Sequence, residues 1–153
     1  MYATVLLIHS WLRWLVLLAG LFAVGSALSG IAQKRGWGAM DNRAGLLFTI
    51  ALDLQMLLGL VLYFLLSPLT RAALGDFGAA MGDSLLRFWA VEHVFGMLVG
   101  LVLAHRGRSR ARAIQDPLKK HRAAAVFFVL ALIAILASIP WPGMPAGRPL
   151  FRW

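Results

Sequence analysis

The chain has 153 residues, and 61% of them are hydrophobic, whereas soluble globular proteins contain roughly 45–50% apolar residues. Cysteine is absent, which excludes disulfides, thiolate chemistry, iron–sulfur clusters and Cys-ligated zinc. The net charge is +9, but the basic residues cluster in two short segments beside apolar runs, so we expect contacts with a lipid bilayer and no nucleic-acid partner.

Four apolar segments follow one another, at about residues 3–32, 44–67, 84–105 and 122–139, and each is close to the ~20 residues a helix needs to cross a bilayer. They lack the alternation of barrel strands, and backbone polar groups in hydrocarbon must be bonded internally. The sequence therefore predicts one all-α domain over 1–153. We expect an antiparallel transmembrane four-helix bundle with an irregular tail at 140–153.

The first segment has no basic leader and no cleavage site, so we expect it to remain as a helix. Segments 33–43 and 106–122 carry ten of the fifteen Lys and Arg residues. The positive-inside rule then places both segments in the cytoplasm and both chain termini outside, in a bacterial inner membrane. In the outer connection, Asp83 or Ser84 is the expected N-cap of the third helix, after a possible short surface helix.

Glycines at helix interfaces let helices approach closely. The sequence offers five such positions: Gly20, Gly25, Gly59, Gly96 and Gly100.

The first helix carries an ionisable pair near its outer end. His9 and Arg13 are four residues apart and share one helix face. In a haem site the imidazole would ligate iron and the guanidinium would neutralise a propionate. The alternative is an interfacial His beside an Arg that extends to the membrane boundary.

The second and third helices carry further polar residues within apolar runs, where ionisable groups are costly. His93 is the best-placed haem ligand. Glu92 points elsewhere on the same helix and could pair with Arg13, or the pair could only fix helix register. Asp53 and Gln55 fall mid-membrane, where Asp53 is protonated, paired, or hydrogen-bonded to a ligating His.

The predicted depths of His9 and His93 in the membrane argue against a haem shared by these two residues. His9 lies 24 residues before Gln33 and His93 lies 13 before Arg106, an offset of 11 residues or roughly 16 Å. The offset shrinks if the third helix continues through the Arg-rich segment. His105 and His121 flank that segment and are either an inner pair or solvated boundary residues.

Several segments together resemble a family of small bacterial four-helix membrane proteins described as b-type cytochromes. They are His9–Trp14, Leu54-Gln55, Leu58–Tyr63, Glu92-His93, Lys120-His121 and Ile139–Pro142. The resemblance covers nearly the whole chain. It implies a helical bundle with candidate haem ligands at His9, His93 and His121.

The leading hypothesis is a membrane protein that binds haem b and passes single electrons, with a quinol or a redox protein as partner and a larger complex as recipient. The alternative is a non-catalytic accessory subunit of a respiratory or photosynthetic complex, whose tail from Pro140 to Trp153 docks outside. A proton-coupled transporter that uses Asp53 is a third reading. No independent catalytic activity is expected, since no hydrolase or metal-enzyme motif is present.

Overall fold

The computed structural model describes residues 1–152, which form helices and connections without a strand. The helices are α1 (Tyr2–Ala32), α2 (Ala39–Leu66), α3 (Pro68–Gly75), α4 (Phe77–Gly82), α5 (Ser84–Ala113) and α6 (Pro117–Ser138). Two of them contain a π-helical turn, at Leu62–Leu66 in α2 and at Phe88–Glu92 in α5. The predicted all-α class is confirmed.

Helices α1, α2, α5 and α6 are long and apolar enough to cross a membrane. Helix α1 packs on α2 and α6, and α5 packs on the same two helices, so α1 and α5 lie diagonally across the bundle. Large apolar side chains point outward, including Leu18 at 64% and Phe95 at 66% exposure. In water they would form one large apolar surface, so the bundle requires lipid around it.

The two ends of the bundle differ. The α1–α2 and α5–α6 connections lie at one end, here called the basic end, and α3, α4 and residues 139–152 lie at the other, the tail end. The surface helix expected before α5 occurs as two short helices, α3 and α4. Asp83 caps α5 as predicted, because its carboxylate accepts the Leu86 N–H at 2.9 Å.

Helix α5 is longer than the sequence predicts. It continues through the Arg-rich segment to Ala113 and leaves only 114–116 as a connection. Helix α6 then begins at Pro117, with the Asp116 carboxylate accepting the Lys119 N–H at 2.7 Å. The expected basic loop at 106–122 is therefore mostly helical.

Small residues on α5 allow the closest helix contact in the bundle. Gly96 lies against Ser138, and a side chain at Gly100 would overlap Ile135 of α6. Gly20 and Gly59 also face neighbouring side chains, as predicted, but Gly25 has open space around it. The expectation for Gly25 is wrong because its helix face meets no other helix.

A buried carboxylate fixes the α1–α2 hairpin. Asp41, 3% exposed, accepts two hydrogen bonds of 2.7 Å from the Arg35 guanidinium and one of 2.6 Å from the Ser26 hydroxyl. It also accepts the Gly38 N–H at 2.9 Å. Hydrogen bonding to Asp41 raises the pKa of Arg35 above its ordinary value. This cluster orients both helices at the basic end.

His121 is fully buried nearby, at 0% exposure. Its ring lies 4.9 Å from the Trp37 ring and directly against Gly30 of α1. A β-carbon at Gly30 would occupy the space of the imidazole, so this position requires glycine.

Replacement of Gly30 by Ala should therefore destabilise the protein by about 1–3 kcal/mol, the usual cost of overpacking. The midpoint of unfolding, followed by circular dichroism in detergent, measures this. Gly25→Ala is the matched control on the same helix, and it should be neutral or stabilising because Ala favours helix. Equal effects of the two substitutions would contradict the packing described for Gly30.

Replacement of Arg35 by Gln should lower the unfolding midpoint by several degrees, because it leaves the buried Asp41 carboxylate without its bidentate partner. Arg43→Gln removes the same charge from an exposed position at the same end and should leave the midpoint unchanged within about one degree. A similar loss in both variants would show that net charge, not the cluster, is responsible.

Candidate functional site

A cavity of about 120 Å³ lies inside the bundle at the tail end, between α1, α2, α5 and α6. Much of its wall is apolar, with Val16, Leu52, Met56 and Ile135 among the lining residues. The polar and aromatic lining residues are Tyr2, His9, Ser10, Arg13, Gln55, Tyr63, Ser67, Thr70, Trp89, His93, Arg148 and Arg152. An apolar cavity with a few converging polar groups is typical of a ligand site.

His93 is held in one orientation by the end of α6. Its Nδ1 lies 2.7 Å from the carbonyl oxygen of Ser138, and because a carbonyl can only accept, Nδ1 carries the proton. In a continuing helix that carbonyl would accept the N–H of residue 142, but residue 142 is proline and has none. In the neutral form of this ring, which lines the cavity, Nε2 is the nitrogen without a proton.

His9 reaches the same cavity from α1. The Gln55 amide nitrogen lies 3.2 Å from His9 Nε2 and donates at 3.1 Å to the His9 carbonyl oxygen. The ring also lies against Gly59, one turn further along α2, where a side chain would crowd it. Both contacts fix the imidazole at the α1–α2 interface.

The predicted depth mismatch between His9 and His93 does not occur. The offset was counted from an α5 that ends near residue 105, whereas α5 continues to Ala113. His9 and His93 thus line one cavity from diagonal helices, close enough to interact electrostatically.

Unpartnered polar atoms concentrate at this cavity. Within residues 1–152, six buried side-chain nitrogen or oxygen atoms lack a hydrogen-bond partner. Four of them belong to cavity-lining residues: His9 Nδ1, Arg13 Nε, Gln55 Oε1 and Trp89 Nε1. Buried polar groups are nearly always hydrogen-bonded, so this cluster indicates a place for a polar ligand or water.

The tail folds back over α1 and closes the outer side of the cavity. The Leu150 carbonyl oxygen accepts hydrogen bonds from Arg13 at 2.5 Å and from the Trp14 indole at 3.3 Å. Phe151 stacks on Trp14 with ring centroids 5.3 Å apart. The tail thereby brings two more guanidinium groups, of Arg148 and Arg152, to the cavity wall.

Both π-helical turns lie beside the cavity. In α5 the turn ends immediately before His93, whose N–H bonds to the Phe88 carbonyl five residues earlier. The Tyr63 hydroxyl, from the π turn of α2, donates to the Ala90 carbonyl of the other turn at 2.8 Å. The extra residue in each turn shifts the helix faces beyond it, and π turns are frequent at functional sites.

Three predicted polar residues lie elsewhere. Glu92 pairs with Arg87 at 2.8 Å on the surface, so its expected pairing with Arg13 is wrong. Asp53 pairs with His105 at 2.8 Å, and both side chains are nearly half exposed between α2 and α5. His121 lies at the basic end, and the structure does not bring it to the cavity.

Trp89, Ser138, Arg148 and Arg152 also belong to the site and were not predicted from the sequence. For Ser138 the sequence does contain a signal. Pro140 and Pro142 have no N–H, so the carbonyl groups four residues earlier, at the end of α6, lack their helical hydrogen-bond donors. The contacts of the tail arginines had no local signal, because they depend on how residues 143–152 fold back.

No family model, curated protein or solved structure matches the chain. The resemblance to b-type cytochromes therefore stays a prediction, and function has to be argued from the cavity itself.

Replacement of Arg13 by Gln should release the tail, because a charge-assisted hydrogen bond to Leu150 is lost. Backbone amides of residues 150–152 should exchange with deuterium about tenfold faster, measured by mass spectrometry on the full chain. Arg71→Gln, at an exposed position of the same end, should leave exchange in the tail unchanged. Unchanged exchange in the Arg13 variant would show that the indole hydrogen bonds of Trp11 and Trp14 and the stacking of Phe151 hold the tail without Arg13.

Proposed function

We propose that the protein binds one haem b in the cavity and carries single electrons in a bacterial cytoplasmic membrane, with its basic end in the cytoplasm. The observation that carries the proposal is the fixed tautomer of His93. Histidines that ligate metals nearly always donate their other ring N–H to a carbonyl or carboxylate, which orients the ring and raises its basicity. His93 has this arrangement, with its Nδ1 bonded to the Ser138 carbonyl oxygen.

His9 would be the second residue to hold the haem. It comes from the helix diagonal to α5, so two imidazoles face the same cavity from opposite sides of the bundle. Its Nε2 now accepts from the Gln55 amide, which would have to turn away. In the structure the same Gln55 nitrogen also donates to the His9 carbonyl oxygen, so Gln55 positions this turn of α1.

Three guanidinium groups at the cavity wall fit the anionic side groups of a haem. Arg13, Arg148 and Arg152 have no carboxylate partner among the ion pairs of the described chain. An anionic group among them would relieve their mutual repulsion, and the planar guanidinium suits a carboxylate.

A haem held there would supply one-electron transfer. The chain would set its potential through the basicity of His93, the surrounding apolar wall and the positive charge of the arginines. The bonds of the tail to α1 would exclude water from the outer side.

A quinone head group is a second candidate, favoured by the size of the cavity. Its volume of about 120 Å³ is near the ~150 Å³ of an engineered cavity that holds benzene, so a porphyrin would need the walls to move apart. The unpartnered Trp89 and Arg13 nitrogens are donors, which suit the two carbonyl oxygens of a quinone.

The accessory-subunit alternative expects the tail to dock outside. In the structure, residues 150–152 contact Trp11, Arg13 and Trp14 of the same chain, so this alternative has no contact of its own to support it. A protein partner for electron exchange remains part of the proposal.

The test is pigment content. Full-length protein, purified in mild detergent from cells supplied with haem precursor, should give a reduced-minus-oxidised b-type spectrum with close to one haem per chain. His93→Ala should lower the haem content at least about tenfold. His105→Ala, on the outer surface of the same helix, is the control and should keep full pigment.

Rescue and extraction make the result decisive. Imidazole added to a His93→Gly variant should restore pigment if the ring itself is the ligand. A folded colourless protein that yields quinone on solvent extraction would overturn the haem proposal in favour of the second candidate. Full pigment in His93→Ala would contradict the role of this residue.

A further inference from the structure

A second candidate site lies on the outside of the bundle, at the basic end of α5. Leu101, His105, Arg108 and Arg112 follow one another at intervals of three or four residues and therefore share one helix face. They line an open groove on the surface of α5, together with Val102, Arg106 and Ser109. None of these residues takes part in the haem proposal.

Polarity changes along the groove in one direction. Leu101 and Val102 form its apolar part, toward the middle of the bundle, and the latter is 58% exposed. Ser109 and Arg112 form its polar part, about two to three turns closer to the end of α5. An apolar surface that continues into a cationic one matches a phospholipid, whose acyl chains join an anionic head group.

Helix α2 supports the groove from one side. The Asp53 carboxylate holds the His105 ring at 2.8 Å, at the point where the groove changes from apolar to polar. The aliphatic stem of Arg108 lies over Gly45, which leaves room for it. Both groove residues are thereby positioned by a neighbouring helix.

The three guanidinium charges of the groove have no carboxylate partner within residues 1–152. The ion pairs of residues 1–152 are Arg35–Asp41, Arg87–Glu92 and His105–Asp53, and none includes Arg106, Arg108 or Arg112. No hydrogen bond from these three guanidinium groups occurs in the described chain either. A phosphate diester would supply the missing anion, because guanidinium groups bind phosphate oxygens in a fork geometry.

We propose that this groove binds one anionic phospholipid of the leaflet at the basic end. Arg108 and Arg112 bind the phosphate, the Ser109 hydroxyl donates to it, and an acyl chain lies along Leu101 and Val102. The proposal is independent of the haem, since the groove and the cavity lie at opposite ends of the bundle.

Native mass spectrometry of the full chain in detergent tests it, with added phosphatidylglycerol or phosphatidylcholine as probes. We expect one phosphatidylglycerol to bind at least about tenfold more tightly than phosphatidylcholine. The double variant Arg108→Gln/Arg112→Gln should lose this preference. Arg110→Gln/Arg122→Gln removes the same charge from exposed positions at the same end that do not line the groove, and it should keep the preference.

Three results would overturn the proposal. An equal loss in both double variants would mean that net charge, not the groove, attracts the lipid. Equal binding of the two lipids would show that the head-group charge is not recognised. Displacement of the lipid by millimolar glycerophosphate would assign the site to a soluble phosphate instead. Unchanged helical circular dichroism in both variants, which the exposed side chains predict, shows that the comparison concerns folded protein.

Discussion

The hydrogen bond from His93 Nδ1 to the Ser138 carbonyl oxygen lets the end of α6 fix the orientation of a cavity-lining side chain of α5. Pro142 removes the N–H that this carbonyl would otherwise accept, and Pro140 does the same for Leu136, whose carbonyl accepts the Trp141 indole at 2.8 Å. In a bilayer such carbonyls need partners within the protein. One of them fixes the tautomer of His93, and that tautomer determines what the cavity can bind.

Small residues make this geometry possible. Gly96 and Gly100 let α6 approach α5 closely enough for Ser138 to reach the imidazole one turn away, and Gly59 admits the His9 ring against α2. At the basic end, the Asp41 carboxylate accepts hydrogen bonds from Ser26, Arg35 and Gly38, so the polar groups of this cluster have partners. Within residues 1–152, four of the six unpartnered buried atoms lie at the tail end, around the cavity, and the other two are the ring nitrogens of His121 at the basic end. Most of the unsatisfied polar groups of the bundle therefore lie where a ligand is expected.

The apolar runs predict the four long helices and their antiparallel order, because each run matches the thickness of a bilayer. The end of α5 was misjudged because hydropathy stops at the membrane boundary, whereas arginine is a good helix former and the helix continues in the aqueous phase. That error produced the false depth mismatch of His9 and His93. Glu92 pairs with Arg87 of its own helix across the π turn, whereas the partner of Asp53 depends on which faces α2 and α5 present to each other.

The central claim is that His93 presents an unprotonated Nε2 to the cavity, and nitrogen NMR of ¹⁵N-histidine-labelled protein in detergent tests it most directly. The His93→Ala spectrum assigns the resonances, and one-bond couplings identify which nitrogen carries hydrogen. The account predicts a neutral ring at pH 7 with hydrogen on Nδ1. A ring that carries hydrogen on Nε2, or on both nitrogens, would contradict it, because Nε2 could then not act as a ligand.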